Sequence, residues 1–167
     1  MVSVARRSSS PPLGTAVDSG LRYLAIRSHS RVELWRKLTR KGFEDDEVEA
    51  ALDRLTELGY LDDKAFARAV VRRRSTSRGR IAIIAELIAK GVSRPAAAEA
   101  VADFDPATQL EAATRLAERL YAVKPPPGYR EMLDRIGSKL ARRGYSTTIV
   151  RAACRTVWFR PSESVDS

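Results

Sequence analysis

Five arginines within nine residues, Arg72, Arg73, Arg74, Arg78 and Arg80, are the densest source of chemistry in the chain. Each guanidinium carries a permanent charge and a planar fork of donors, which suits phosphate and carboxylate oxygens. Successive helical residues turn by about 100°, so Arg72, Arg73 and Arg74 cannot share one face, whereas Arg68 and Arg72 can. Arg74, Arg78 and Arg80 fall near or within a loop between two helices, where long side chains can reach an anion. A second polar stripe, Thr147, Thr148, Arg151 and Arg155, lies opposite the apolar Val150, Cys154 and Val157, in the manner of a recognition-helix face.

Other chemistry finds little support. His29 stands alone as a histidine between two serines and reads as a surface or packing residue. Asp45-Asp46 and Asp62-Asp63 are adjacent pairs at helix starts, where capping explains them without a metal. Arg78-Gly79-Arg80 lacks the Gly-x4-Gly-Lys-Ser/Thr spacing of a phosphate-cradling loop. Cys154, the single cysteine, excludes an intrachain disulfide and falls at a position that reads as buried and apolar. Trp35 and Trp158 can stack on bases, although packing of amphipathic helices accounts for them better. No catalytic residue, metal ligand or cofactor is expected.

The formal charge is +9, with a pI near 10.2, and it is unevenly distributed. Residues 21–61 carry eight basic and eight acidic side chains, residues 62–94 nine and three, residues 95–123 two and five, and residues 124–160 nine and two. Two basic blocks therefore flank an acidic helix, and basic clusters of this kind are the electrostatic footprint of phosphate binding. No stretch has the length and apolarity of a signal peptide or bilayer span, so a soluble, cytoplasmic protein is expected.

The elements that must hold these charges are helices. Apolar residues recur at helical spacing, glycines and prolines punctuate the runs, and no segment alternates in the manner of a strand. Ser30 with Glu33 has the form of a capping box, Asp62 or Asp63 opens one helix, and Asp105-Pro106 opens another. Aligning Gly42, Gly91 and Gly144 brings Leu38, Leu87 and Leu140 together four residues earlier, and Phe43, Val92 and Tyr145 one residue later. Val48, Ala97 and Val150 follow, then Leu52, Val101 and Cys154, and finally Leu55, Phe104 and Val157. The expected fold is all-α: three tandem three-helix, helix-turn-helix-like repeats in an elongated array. The expected boundaries are a disordered tail at 1–20, repeats at 21–61, 62–104 and 105–160, a proline-rich spacer at 124–128, and a frayed C-terminus at 161–167. The helices that open each repeat are placed near 21–29, 63–74 and 105–121.

The phrases AIRSHSRVELWRKLTRKGF, LTELGYLDDKAFARAVVRRR, IAIIAELIAKGVS and KLARRGYS resemble, in order, the signature segments of the bacterial regulatory RecX family. The likeness spans about residues 21–158; its most specific part is Gly59-Tyr60-Leu61-Asp62-Asp63 with Phe66-Ala67, then Glu86-Leu87 to Lys90-Gly91. The Ser/Pro-rich N-terminus lies outside the shared pattern, and RSTSRGR replaces a loop that usually carries more glycine and proline.

The resemblance implies a non-enzymatic modulator of the RecA recombinase, acting in homologous recombination and DNA repair. Such a protein binds the groove of the RecA–single-stranded DNA filament and restrains its ATPase, strand-exchange and coprotease activities. Single-stranded DNA, and double-stranded DNA as a further candidate, are implied partners; no membrane partner is expected, and the chain is expected to be a monomer. On this reading Arg72, Arg73, Arg74, Arg78, Arg80, Lys90, Arg142, Arg143, Arg151 and Arg155 face DNA phosphate or acidic recombinase loops, while the neutral first module makes a more apolar contact. The residues alone also admit a helix-turn-helix regulator of duplex DNA and an adaptor for acidic proteins.

Overall fold

The computed structural model describes residues 14–160, and every regular element among them is helical. The helices are α1 (Ala16–Ile26), α2 (Arg31–Lys41), α3 (Asp45–Glu57), α4 (Asp63–Arg74), α5 (Arg80–Ala89), α6 (Arg94–Ala100) and α7 (Pro106–Val123). After the non-helical Lys124–Gly128 stretch come α8 (Tyr129–Met132), a π turn (Leu133–Gly137), α9 (Ser138–Arg142) and α10 (Thr147–Trp158).

The aligned glycines end α2, α5 and α9 in one way. Gly42, Gly91 and Gly144 have φ of 102°, 85° and 86°, a left-handed conformation that terminates a helix and strains any side chain. The leucine one turn before each is fully buried: Leu38, Leu87 and Leu140 are 0% exposed. Phe43, Val92 and Tyr145 are buried after the turn, as are Leu52, Val101 and Cys154 on the following helices. A helix C-cap and a core position thus recur together along the chain.

Chain contacts separate the protein into two compact units. Among the described residues, the first comprises those up to Phe66 together with Lys90–Val92, and the second comprises Ala67–Ala89 with those from Ser93 onward. This division by packing does not coincide with the sequence repeat, because it falls inside α4 and keeps α7 to α10 with most of α4 to α6. The first unit packs Leu34, Leu38, Val48, Leu52, Leu55 and Leu61 between α1, α2 and α3. In the second, Ala112, Ala113 and Ala117 let α10 lie close along α7, and Met132, Ile136 and Leu140 complete that core.

Two local expectations need correction. The chain is already helical within the stretch read as a tail: Thr15 caps α1 by accepting from Asp18 N, and Asp18 returns a bond to Thr15 N. Ala16, Ser19 and Gly20 are buried there, so small side chains that looked too weak to order the segment pack against larger ones. Residues 1–13 and the C-terminal 161–167 lie outside the described residues. Ser30 does cap α2 by accepting from Glu33 N, but Glu33 does not close a capping box; its carboxylate takes Arg27 and Lys90 instead. Of the two aspartates before α4, Asp62 caps Lys64 and Ala65 N–H groups, while Asp63 accepts from Arg31 N at 2.7 Å.

Candidate nucleic-acid interface

The second unit brings together charges that are distant in sequence. Residues 75–79, between α4 and α5, are held by backbone bonds from Ser77 N and Arg78 N to Arg74 O, both 2.9 Å. Gly79 N then donates to Arg143 O at 2.9 Å, and Ile81 N to Gly144 O at 3.2 Å. Glycine is required on both sides of this contact. A Cβ on Gly79 would lie 2.2 Å from Gly144 O, and one on Gly144 would lie 2.3 Å from Ala82 N. Backbone meets backbone here, so neither clash can be relieved by a side-chain rotation.

This close approach places Arg78 beside the C-terminal end of α9. A cleft of about 280 Å³ opens there, lined by Arg78, Lys139, Arg142 and Arg143, with Leu116 and Leu120 of α7 supplying its apolar side. All four cations are exposed, and none has a carboxylate partner among the described residues. Arg143 Nη1 reaches only Ser77 O, at 3.4 Å. Four unpaired cations on an apolar base suit a polyanion with some apolar surface, as nucleic acid has. Tyr145, next to Gly144, is buried with its hydroxyl unpartnered among the described residues, and burial raises its pKa despite the nearby Arg143, Arg115 and Arg119.

The other arginines singled out by sequence are arranged differently. Arg72 and Arg73 are exposed on the last turn of α4, and Arg80 is exposed at the start of α5. The Arg80 backbone is fixed by Gln109, whose Oε1 accepts from Arg80 N at 3.2 Å while Nε2 donates to Phe104 O at 3.4 Å. Arg74 is committed to Glu86: its Nε and one terminal nitrogen donate to the carboxylate at 3.0 and 3.1 Å, clamping α4 to α5. Lys90 belongs to the first unit, where Nζ lies 2.9 Å from Glu33 Oε1. Arg151 and Arg155 lie one turn apart on the exposed side of α10 and do not line the cleft. Lys139 is the residue that sequence reasoning missed; its spacing of three and four before Arg142 and Arg143 was the available signal.

In the first unit, Arg27, Arg31 and Lys90 are paired with carboxylates. Arg31 bridges Glu49 at 2.6 Å and Asp53 at 2.8 Å, tying α2 to α3. Ser30 Oγ donates to Lys90 O, and Arg27 joins Lys90 on Glu33. Burial alone would raise the Glu33 pKa, but hydrogen bonds and charge from Arg27 and Lys90 outweigh it and hold the carboxyl at about 2. His29 is 3% exposed, with Nδ1 on Arg27 O and Nε2 unpartnered; burial, then the charge of Arg27, lower its pKa. Cys154 is fully buried and its thiol pKa is raised by burial, the environment of an inert packing residue.

Trp158 packs edge-on to Tyr121 at 6.3 Å and tilted to Tyr129 at 6.1 Å, which accounts for it as a packing residue. Among the described residues no group of His, Cys, Asp or Glu is placed to hold a metal ion. No described helix is long and apolar enough to cross a membrane.

Comparison with known proteins agrees with the folded pattern. Residues 16–55 match the family model for the RecX first three-helix domain, and residues 62–101 match that for the RecX second three-helix domain. The chain is 41% identical over 145 residues to regulatory protein RecX of Xanthomonas axonopodis pv. citri, covering 84% of this chain and 86% of that one. It is 38% identical over 137 residues to regulatory protein RecX of Mycolicibacterium smegmatis, covering 77% and 72% respectively. The crystal structure of RecX from Lactobacillus salivarius shares the fold, with a TM-score of 0.79 over 87% of this chain and 96% of that chain at 24% identity. With both helical domains matched and relatives of this similarity along most of its length, the chain belongs to the RecX family of regulatory proteins.

Proposed function

We propose that this protein is a negative regulator of the RecA recombinase, binding the RecA–single-stranded DNA filament and restraining its ATPase, strand-exchange and coprotease activities. Family membership supports the regulatory role. The observation that carries the physical reading is the Gly79–Gly144 contact, which gathers Arg78, Lys139, Arg142 and Arg143 around one cleft that no carboxylate lines among the described residues.

The cleft takes DNA phosphate or an acidic recombinase loop, and Arg72, Arg73, Arg80, Arg151 and Arg155 extend the field around it. Arg74 serves this surface indirectly, by clamping α4 to α5, whereas Lys90 is engaged by Glu33 within the first unit. The chain acts as a non-enzymatic binder, and its three-helix repeats, the first opening at α1 and the next two taken as 62–104 and 105–160, each add a modest contact that linkage strengthens. Co-sedimentation with recombinase-coated single strands tests the reading. The wild type is expected in the pellet with coated strands and only weakly with naked duplex; sequence-specific retention on naked duplex would overturn the reading in favour of a transcription regulator.

A further inference from the structure

The formal neutrality of residues 21–61 conceals a separation of charge within the first unit. Helix α2 carries five basic residues against one acidic residue, whereas α3 carries six acidic residues against one basic residue. A shallow groove of about 630 Å³ runs along α2, lined by Arg27, Trp35, Arg36, Lys37, Thr39 and Arg40. Glu33 is the one carboxylate lining it among the described residues, and that charge is already matched by Arg27 and Lys90. The acidic residues of α3 line no part of it.

Trp35 is half-buried, packed against the first core yet lining this groove. Arg36 and Arg40 are exposed, one turn apart, with no ion-pair partner among the described residues; Arg40 Nε donates to Arg36 O at 3.2 Å. Lys37 Nζ lies 4.7 Å from the centre of the Tyr23 ring, still on the groove side. Thr39 Oγ1, one turn beyond Trp35, is buried without a hydrogen-bond partner among the described residues.

An indole flanked by unpaired cations is the arrangement that binds a single strand, since every unpaired base has a face to stack and successive phosphates follow the backbone. An acidic peptide would use the cations and leave the indole idle; a duplex keeps its base faces stacked away. We propose that the α2 groove is a second contact for single-stranded nucleic acid, in which Trp35 stacks on an unpaired base while Arg36 and Arg40 take the flanking phosphates. This contact is independent of the cleft in the second unit.

The test uses the full chain carrying Trp158→Phe, so that Trp35 alone reports by fluorescence. An oligodeoxythymidine single strand is expected to quench Trp35 saturably, and to do so also when Arg78, Arg142 and Arg143 are alanine. Arg36→Glu with Arg40→Glu, both on the exposed face, is expected to weaken that binding about tenfold or more without loss of helix content. Trp35→Leu is expected to weaken strand binding by about ten- to one-hundredfold in the cleft variant. Four results would each overturn the proposal: no quench with the single strand, an equal quench by duplex of the same length, unchanged affinity in the Arg36/Arg40 variant, or a quench by oligoglutamate alone.

Discussion

The two units contain similar residue types and both mix paired with unpaired cations, but the long-range bridges that join helices in the first have no counterpart around the cleft of the second. In the first, Arg27, Arg31 and Lys90 are each held by a carboxylate, and those bridges tie α2 to its neighbours. In the second, Arg78, Lys139, Arg142 and Arg143 surround a cleft that no carboxylate lines among the described residues. A cation satisfied inside the fold stabilises that fold and is poorly available to a ligand; an unpaired cation on a rigid backbone repels its neighbours and awaits a counter-charge. Function is therefore read from where arginine lacks a partner, and not from where arginine is most frequent. Arg74 illustrates the point, because it sits in the densest basic run and yet belongs to Glu86.

The largest expected effect concerns the backbone that holds the cleft together. Gly144→Ala combines left-handed strain with a clash against Ala82 backbone, and should cost about 4 kcal/mol in denaturant unfolding of the second unit. Gly59→Ala in the first unit, at φ +74° but with open space around it, should cost only about 1 kcal/mol. Equal costs would mean that the Gly79–Gly144 approach does not constrain the second unit.

Next in size is the acid response of the first unit. Because Glu33 has its pKa lowered from 4.5 to about 2, its stabilisation is complete above pH 4.5 and is lost as pH falls from 4.5 towards 2. The contribution is on the order of 3 kcal/mol. Glu33→Gln should remove most of this pH dependence in unfolding followed by Trp35 fluorescence in the Trp158→Phe background. His29 adds a smaller loss in the same direction, beginning as pH falls below 6.5, since a buried neutral imidazole resists protonation.

A change in salt dependence separates the charge of the cleft from its shape. If Arg78, Arg142 and Arg143 each neutralise one phosphate, replacing all three by alanine should flatten the slope of log affinity against log salt for a single strand by about 2. A slope that stays the same would place the phosphates elsewhere. The smallest effect is a negative one: Cys154, buried with a raised pKa, should resist alkylation in the folded protein and react on unfolding.

The helical fold was legible because its signals are local. Gly42, Gly91 and Gly144 are glycines since a left-handed cap strains other residues, and the leucine one turn before each must enter a core. Sequence also placed the helix starts at Ser30, Asp62 and Asp105, whose side chains cap them through nearby N–H groups. It missed the start of α1, where Gly20 gives room for Leu55: a Cβ there would lie 2.6 Å from Leu55 Cδ1. A small residue packed beneath a distant large one leaves no apolar signature of its own.

The cleft was only half legible. Charge counting located both basic blocks, but Arg78 and Arg143 are joined by a backbone contact 64 residues apart in sequence, between Gly79 and Arg143. Pairing was equally hidden, since Lys90 meets a glutamate 57 residues earlier and Arg74 meets one 12 residues later. Long-range partners decide which cations remain available, and spacing along one helix does not report them.

The central claim is tested most directly by the ATPase of cognate RecA on single-stranded DNA, measured with wild-type protein and with the Arg78→Ala, Arg142→Ala, Arg143→Ala variant at matched helix content. Wild-type protein should inhibit ATP hydrolysis and the variant should require at least about tenfold more protein for the same inhibition, as lost charge-assisted contacts of this kind imply. Equal inhibition by the two proteins would contradict the assignment of the cleft as the filament contact.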